Sequence, residues 1–300
     1  MTPLQGVWAA SVTPLAPDAT RLKSHIDWLL ENGCHGVVLF GTTGEGPSFT
    51  VAEKRRVMDE LADAGAPMDR LMIGTGCAAV PDTIELTRHA ARVGAAGALV
   101  MPPFYFKHVV DDGVFSAMAA IFDGLGGDSI PVVLYHFPRM AGVGFTPALV
   151  ERLKSAFPEL VQGIKDSSGD HENLTTLCKQ VDDISVFVGS EALLPYALNE
   201  GGAGCISATM NVTSRLVRAL YDGDNGSGER VIRARKALDA LPFVSTIKHL
   251  LADHHGDASW QAVRPPLLPL TARQKQQLSQ ILDTIGTLPN FETLDLPENA

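Results

Sequence analysis

Residues 161–168 read VQGIKDSS, and residues 131–138 read PVVLYHFP. Each is a short apolar run that ends in polar or turn-forming residues. Neither alternates apolar with polar side chains, as a strand with one wet face does. An unbroken run suits a strand covered on both faces, and parallel strands lying between helices are of that kind. Six further runs share the pattern: VWAASVTP from Val7, GVVLFGTT from Gly36, RLMIGTG from Arg70, GALVMPPF from Gly97, SVFVGS from Ser185 and GCISATMN from Gly204.

Between the runs lie segments with helical spacing. Leu22, Ile26, Leu29 and Leu30 share one face before Gly33 ends it. Thr50-Val51-Ala52-Glu53 is a capping box, in which hydroxyl and carboxylate each satisfy an orphan backbone N–H. Further helices are expected over 81–93, 111–124, 147–156, 170–181 and 191–200. Eight strands alternating with helices predict an α/β protein, a (β/α)8 TIM barrel rather than a doubly wound sheet. The barrel is expected to occupy residues 1–212. Beyond it TSRLVRALYDG, RVIRARKALDAL and VSTIKHLLAD read as helices, with DGDNGSG (222–228) as a polar linker. Thr271-Ala272-Arg273-Gln274 opens a last helix with a second capping box. Residues 213–300 are thus expected to form a helical extension packed on the barrel or on a partner subunit.

The chain has 300 residues, 45% of them hydrophobic, which is enough to bury a full core. A net charge of −10 argues against nucleic acid and anionic membranes as partners. No stretch of eighteen apolar residues exists to span a bilayer. The opening MTPLQGVWAASVTPL lacks the basic start and unbroken apolar stretch of a signal peptide. Four cysteines are scattered without CxxC spacing, so a reduced, cytoplasmic protein is the expectation.

In such a barrel, chemistry sits at the C-terminal ends of the strands. Alternation along VQGIKDSS puts Gly163 and Lys165 on one face and Gln162 and Ile164 on the other. The glycine is expected to clear space for the lysine inside the barrel mouth. A buried ammonium is costly, and lowering its pKa relieves the cost, by up to roughly 3–5 units when burial is complete. A neutral lysine can form an imine with a carbonyl substrate. The other reading of Lys165 is an ion pair with Asp166. Tyr135 ends the preceding strand, about 5 Å away in the hydrogen-bonding direction. There its phenol could relay protons during imine formation, or serve simply as a core tyrosine.

The loop GTTGEGPSF (41–49) sets Thr42 and Thr43 between glycines, offering hydroxyls and turned N–H groups to a carboxylate or phosphate. No GK[ST] follows, so it is not a P-loop, and a plain tight turn is the alternative. Glu45 is expected to tie this loop to backbone donors rather than act as a base. Tyr105, in MPPFYFKH (101–108), is read either as rim packing or as a hydroxyl presented to the site or to a neighbouring subunit. GTGCAA (74–79) resembles a dinucleotide turn, but no acidic residue ends the next strand. His254 and His255 are expected in a polar loop, and the dispersed histidines lack metal-binding spacing. No GxSxG elbow occurs.

Together, GTTGEG at 41–46, Tyr135 with Pro138 three residues later, and GIKDSSG at 163–169 resemble the dihydrodipicolinate synthase/N-acetylneuraminate lyase family of pyruvate-dependent class I aldolases. GVWAASVTPL, GSEALLPYALNEGGAGCIS (189–207) and RPPLLPL (264–270) extend the resemblance over nearly the whole chain. It implies a barrel with C-terminal helices, a homotetramer built as a dimer of dimers, and no metal or organic cofactor. By position it implies that Lys165 is the Schiff-base lysine and Tyr135 the proton relay. Thr42 and Thr43 then fall in the loop that binds the 2-oxo acid carboxylate, with Thr43 linking Tyr135 to Tyr105. Tyr105 corresponds to the tyrosine that enters a neighbouring subunit's site, and Gly189 and Ile206 line the pyruvyl pocket. One segment departs from the pattern. Synthases of the family read Tyr-Asn-x-Pro-x-Arg, with the arginine gripping the second substrate's carboxylate. Here Met140 holds that place, Arg139 comes one residue early, and His136 replaces the asparagine. The implied activity is therefore a lyase acting beside a pyruvyl unit, on a 2-keto-3-deoxy sugar acid or related 2-oxo acid. Synthesis of dihydrodipicolinate from pyruvate and aspartate semialdehyde comes second, and a dehydratase of the superfamily third. Outside the enzymes, the alternative is an inactive barrel that binds a 2-oxo acid.

Overall fold

The computed structural model describes residues 4–15, 18–128, 130–224, 226–286 and 288. Among them lie eight strands: β1 (Gly6–Ala10), β2 (Gly36–Leu39), β3 (Leu71–Gly74), β4 (Gly97–Val100), β5 (Val132–His136), β6 (Val161–Asp166), β7 (Ser185–Val188) and β8 (Gly204–Ser207). Each pairs in parallel with the next, and β8 returns to β1, closing the barrel. The continuous apolar runs reflect this closure. Strand residues of one parity pack outward against helices, and those of the other fill the interior. Val7, Val37, Leu39, Leu71 and Ile73 belong to the outer layer. Trp8, Val38, Met72, Leu99, Val133, Phe187 and Ile206 form the inner one, with Tyr135.

The helices that cover the strands are α1 (Ala19–Glu31), α2 (Val51–Asp63), α3 (Val80–Arg92), α4 (Asp111–Leu125), α5 (Pro138–Ala141), α6 (Pro147–Ala156), α7 (His171–Gln180), α8 (Leu194–Asn199) and α9 (Met210–Tyr221). Both expected capping boxes form. Thr50 and Glu53 satisfy each other's backbone N–H groups at the start of α2. Thr271 and Gln274 do the same where α12 (Ala272–Ile285) begins. The short α5 was not foreseen; Pro138 at its first turn and Gly142 in the left-handed region after it bound a single turn. The helix expected over 191–200 is split into a 3-10 turn, Glu191–Leu193, followed by α8.

Two helices between these and α12, α10 (Ser227–Asp239) and α11 (Phe243–His255), complete the described elements. Residue 212, where the barrel was expected to end, lies inside α9. Val12 and Val212 share a second apolar core with Leu238, Ile247, Leu251, Trp260 and Leu278, so the later helices pack on the barrel's own end. His254 and His255 are not in a loop: they finish α11, and their rings lie 5.6 and 5.5 Å from the Trp28 ring on α1. The missed signal is helical spacing. Ile247, Leu250 and Leu251 carry an apolar stripe to that point, and Gly256 ends it.

Candidate active site

Lys165 is aligned with Tyr135 on one side and Phe187 on the other, at the C-terminal rim of the barrel. Its side chain is buried, and Nζ lies 4.5 Å from the centre of the Tyr135 ring. Among the described residues no carboxylate comes within 4.0 Å of that ammonium. Asp166 is engaged elsewhere, accepting from Ser168 N at 2.8 Å and from Asn173 Nδ2 at 2.9 Å. Adjacent residues of a strand point to opposite faces, so the ion pair with Asp166 does not form. The interior therefore receives a lysine whose nearest electrostatic partner is an aromatic face.

Gly163 has a different role from the one expected. A Cβ there would lie 2.9 Å from Ser185 O and 3.2 Å from Val133 Cγ2, so its space is taken by the neighbouring strands rather than by Lys165. The register of β5 against β6 shifts between Val132 and Val133, and close packing at Gly163 accompanies that irregularity.

The Tyr135 hydroxyl lies 3.3 Å from Thr42 Oγ1. Within this subunit the hydroxyl that meets Tyr135 is thus that of Thr42, the first threonine of the loop. Thr43 is buried beside it and also lines the cavity. Tyr105 stands apart, 75% exposed and edge-on to Phe106, which is 73% exposed. It does not reach the site of its own subunit.

A cavity of about 390 Å³ opens over Lys165 and is lined by Thr42, Thr43, Tyr135, Arg139 and Gly189 among others. Ile206 lies in the barrel interior with Tyr135 and Phe187 and is not part of this lining. Gly189 donates its N–H to Asp166 O at 2.7 Å, and a Cβ on it would fall 2.1 Å from Ser167 Oγ. Only glycine lets β7 and the turn after β6 meet here. Arg139 sits on α5, 5.9 Å from the Phe137 ring centre, with no carboxylate partner among the described residues. Met140 is exposed beside it. His136 accepts from Phe145 N through Nδ1 at 2.9 Å. Burial pushes its pKa down, against the pull of Asp166, so the ring stays neutral and anchors the chain after α5.

Ser167 and Ser190, at the C-terminal ends of β6 and β7 where chemistry is expected, also line the cavity. Arg235, Asp239 and Phe243, from α10 and α11, escaped the sequence reading. A signal for Arg235 existed. It lies four residues after Val231 and three before Leu238, on the buried stripe of α10. Glu45 accepts Arg264 N at 2.6 Å, as a structural carboxylate would, but it also holds the buried ammonium of Lys248 from α11. Among the described residues no group of three or more His, Cys, Asp and Glu side chains stands in a metal-holding arrangement.

The sequence matches the dihydrodipicolinate synthetase family over residues 3–285. An uncharacterized DapA-like lyase of Chloroflexus aurantiacus is 34% identical over 95% of this chain and 99% of its own. A 4-hydroxy-tetrahydrodipicolinate synthase of Thermomicrobium roseum is 33% identical over 97% of each chain. The crystal structure of dihydrodipicolinate synthase from Agrobacterium tumefaciens superposes with a TM-score of 0.89 at 32% identity, covering 94% of this chain and 99% of that one. YagE of E. coli K12, solved in complex with pyruvate, gives 0.85 at 27% identity, covering 94% and 98%. A closed eight-stranded barrel, a buried lysine beside a tyrosine at its rim, and a match that runs almost end to end agree: the chain belongs to the dihydrodipicolinate synthetase family and is a lyase of that family.

Proposed function

We propose that Lys165 forms an imine with the keto carbon of pyruvate, or of a longer 2-oxo acid that contains a pyruvyl unit. The amine adds to the carbonyl, water leaves, and the protonated imine withdraws electrons from the neighbouring carbon. The bond at that carbon is then made to, or broken from, a partner aldehyde. Tyr135, hydrogen-bonded to Thr42, moves the protons of addition and water loss. The loop of Thr42 and Thr43 holds the carboxylate, and Gly189 keeps the pocket wall close to Ser167. Arg139 is the cation available to a second acidic group. No cofactor is needed for this chemistry. The observation that carries the reading is the environment of Lys165, whose buried Nζ lies over the Tyr135 ring with no carboxylate partner among the described residues.

The partner aldehyde yields, by this reading, a 2-keto-3-deoxy sugar acid or a related 2-oxo acid. Aspartate semialdehyde stands second, because Met140 occupies the place of the arginine that would hold it. We read the protein as cytoplasmic and as a homotetramer. Tyr105 and Phe106, both exposed, support contact with a neighbouring subunit, where Tyr105 would approach the partner's site.

Borohydride reduction in the presence of pyruvate tests the chemistry. Intact mass should rise by one reduced pyruvyl group mapped to Lys165, and Lys165→Ala should stay unmodified while folded. An unmodified wild-type chain refutes the imine and leaves the inactive binding barrel. Turnover of 2-keto-3-deoxy acids, sialic acid, and aspartate semialdehyde with pyruvate then ranks the substrates. Selective use of aspartate semialdehyde would make the protein a dihydrodipicolinate synthase.

A further inference from the structure

The cavity over Lys165 exceeds the needs of pyruvate. Six heavy atoms, each given a liquid water's share of about 30 Å³, fill less than half of its roughly 390 Å³. Part of the remaining wall comes from α10 and α11, where Arg235 and Asp239 sit one helical turn apart. Arg235 Nε donates to Asp239 Oδ2 at 2.7 Å. Its Nη1 donates to Glu191 Oε2 at 3.2 Å and to Ser207 Oγ at 3.3 Å. The Phe243 ring backs the guanidinium at 5.3 Å. Glu191 is almost fully buried and is also held by the hydroxyls of Ser207 and Thr209.

These contacts fix the guanidinium by Nε and Nη1. They leave Nη2 of Arg235 and Oδ1 of Asp239 without a partner among the described residues. An N–H donor beside a carboxylate oxygen is the complement of a hydroxyl, which accepts from the first and donates to the second. It is a poor complement for a carboxylate. Asp239 would repel one, and two acidic neighbours already offset the charge of Arg235.

We propose that Arg235 and Asp239 are specificity-determining residues that read hydroxyl groups beyond the pyruvyl unit, so that the partner aldehyde is neutral and hydroxylated. The inference rests on the imine reading of Lys165 above and assigns the second substrate's subsite to the helices that follow the barrel.

The full-length protein is assayed for condensation of pyruvate with three aldehydes: glyceraldehyde, propanal and succinic semialdehyde. The wild type should prefer glyceraldehyde to both others. Asp239→Ala, whose side chain is half exposed, should keep the fold and lower the glyceraldehyde-to-propanal ratio of kcat/KM about tenfold, the worth of one or two hydrogen bonds. Arg235→Gln should lower the same ratio, and Arg235→Lys should recover part of it. Equal loss on glyceraldehyde and propanal would mean a merely structural role and overturn the proposal. So would a wild-type preference for succinic semialdehyde, which hands the second substrate to Arg139. A wild type that forms the pyruvate adduct but shows no preference for hydroxylated aldehydes refutes the subsite and leaves the imine standing. Absence of the adduct refutes the imine itself.

Discussion

Glu45 and Lys248 form a buried ion pair across 203 residues of sequence, joining the loop of Thr42 and Thr43 to α11. Neither side chain is more than 1% exposed. Lys248 also donates to Ala262 O at 2.7 Å, and Glu45 takes Arg264 N at 2.6 Å, so both charges are hydrogen-bonded beyond their mutual contact. Burial pulls the Lys248 pKa down while Glu45 pulls it back up. The loop needs such an anchor because Glu45 itself lies in the left-handed region at φ 55°, unusual for a residue with a Cβ. The loop of Thr42 and Thr43 is thus positioned by α11 and the segment after it.

Removing one partner leaves the other charged and buried. Lys248→Met should cost about 3–5 kcal/mol of stability. The double variant Glu45→Gln/Lys248→Met should recover much of that loss, since no lone charge remains. Urea unfolding of both variants checks the sign. If the double variant is less stable than Lys248→Met, the pair acts through more than mutual neutralisation.

Lys165 is the opposite case, a buried ammonium with no carboxylate partner among the described residues. Substituting a methionine of similar length keeps the volume and removes the desolvation cost. Lys165→Met should therefore raise stability by roughly 1–2 kcal/mol while abolishing pyruvate adduct formation, a stability–activity trade-off. A lower unfolding midpoint for this variant would count against the isolation of the ammonium.

The two loop threonines should separate kinetically. Thr42 touches the Tyr135 hydroxyl, whereas Thr43 lines the cavity without that contact. Tyr135→Phe should lower kcat by about 10²–10⁴-fold, the usual worth of a positioned proton carrier. Thr42→Val should lower kcat by a smaller factor in the same step, and Thr43→Val should act chiefly on the KM for pyruvate. Steady-state kinetics of the three variants decide it, and an equal kcat loss for both threonines would remove the distinction.

The barrel was legible because its physics is local. Each strand is covered on both faces and so writes an unbroken apolar run, and Lys165 stands out only against such a run. The neighbourhood of Tyr135 and Lys165 followed from strand order alone. What stayed illegible depends on side-chain direction or on contacts between distant segments. Thr42 and Thr43 are chemically alike, and only the turn at 41–46 decides which hydroxyl meets Tyr135. Lys248 lies 203 residues from Glu45 and Arg235 lies 44 from Glu191, with no periodicity to connect either pair. Gly163 looked like a space-maker for Lys165, but the shifted β5–β6 register gives that space to Val133 and Ser185.

Gly189→Ala tests the tightest contact in the cavity wall. The added methyl would fall 2.1 Å from Ser167 Oγ and 2.8 Å from its Cβ, so the turn after β6 must move. That turn begins two residues after Lys165, and a displacement near 1 Å at a reacting group can cost about 10²-fold in rate. The variant should lose activity by that order. Ser167→Gly in the same chain removes both clashing side-chain atoms but leaves the Ser167 backbone at 3.0 Å, so recovery should be partial.

Acid should loosen the seam between the barrel and α11 through His25. The ring is buried on α1, with Nε2 lying 3.2 Å from Asn211 Oδ1 and the Trp260 ring centre 5.0 Å away. Burial lowers its pKa to about 4, against the contrary pull of Asn211, and His255 lowers it further. Asn211 Oδ1 also accepts Val12 N, and its amide donates to Ala10 O and Ala208 O, so His25 stands on a network that joins β1 to the start of α9. In the unfolded chain the histidine binds a proton near pH 6.5. The unfolded state therefore holds more protons between about pH 6.5 and 4, and stability falls as pH drops through that window. The full loss is about 3 kcal/mol for a shift of this size. It is complete below about pH 4, where both states are protonated. Thermal unfolding from pH 7.5 to 4.5 should show a declining midpoint in the wild type and a shallower decline in His25→Gln, whose amide can still donate to Asn211. Equal slopes for the two proteins would assign the acid sensitivity to other groups.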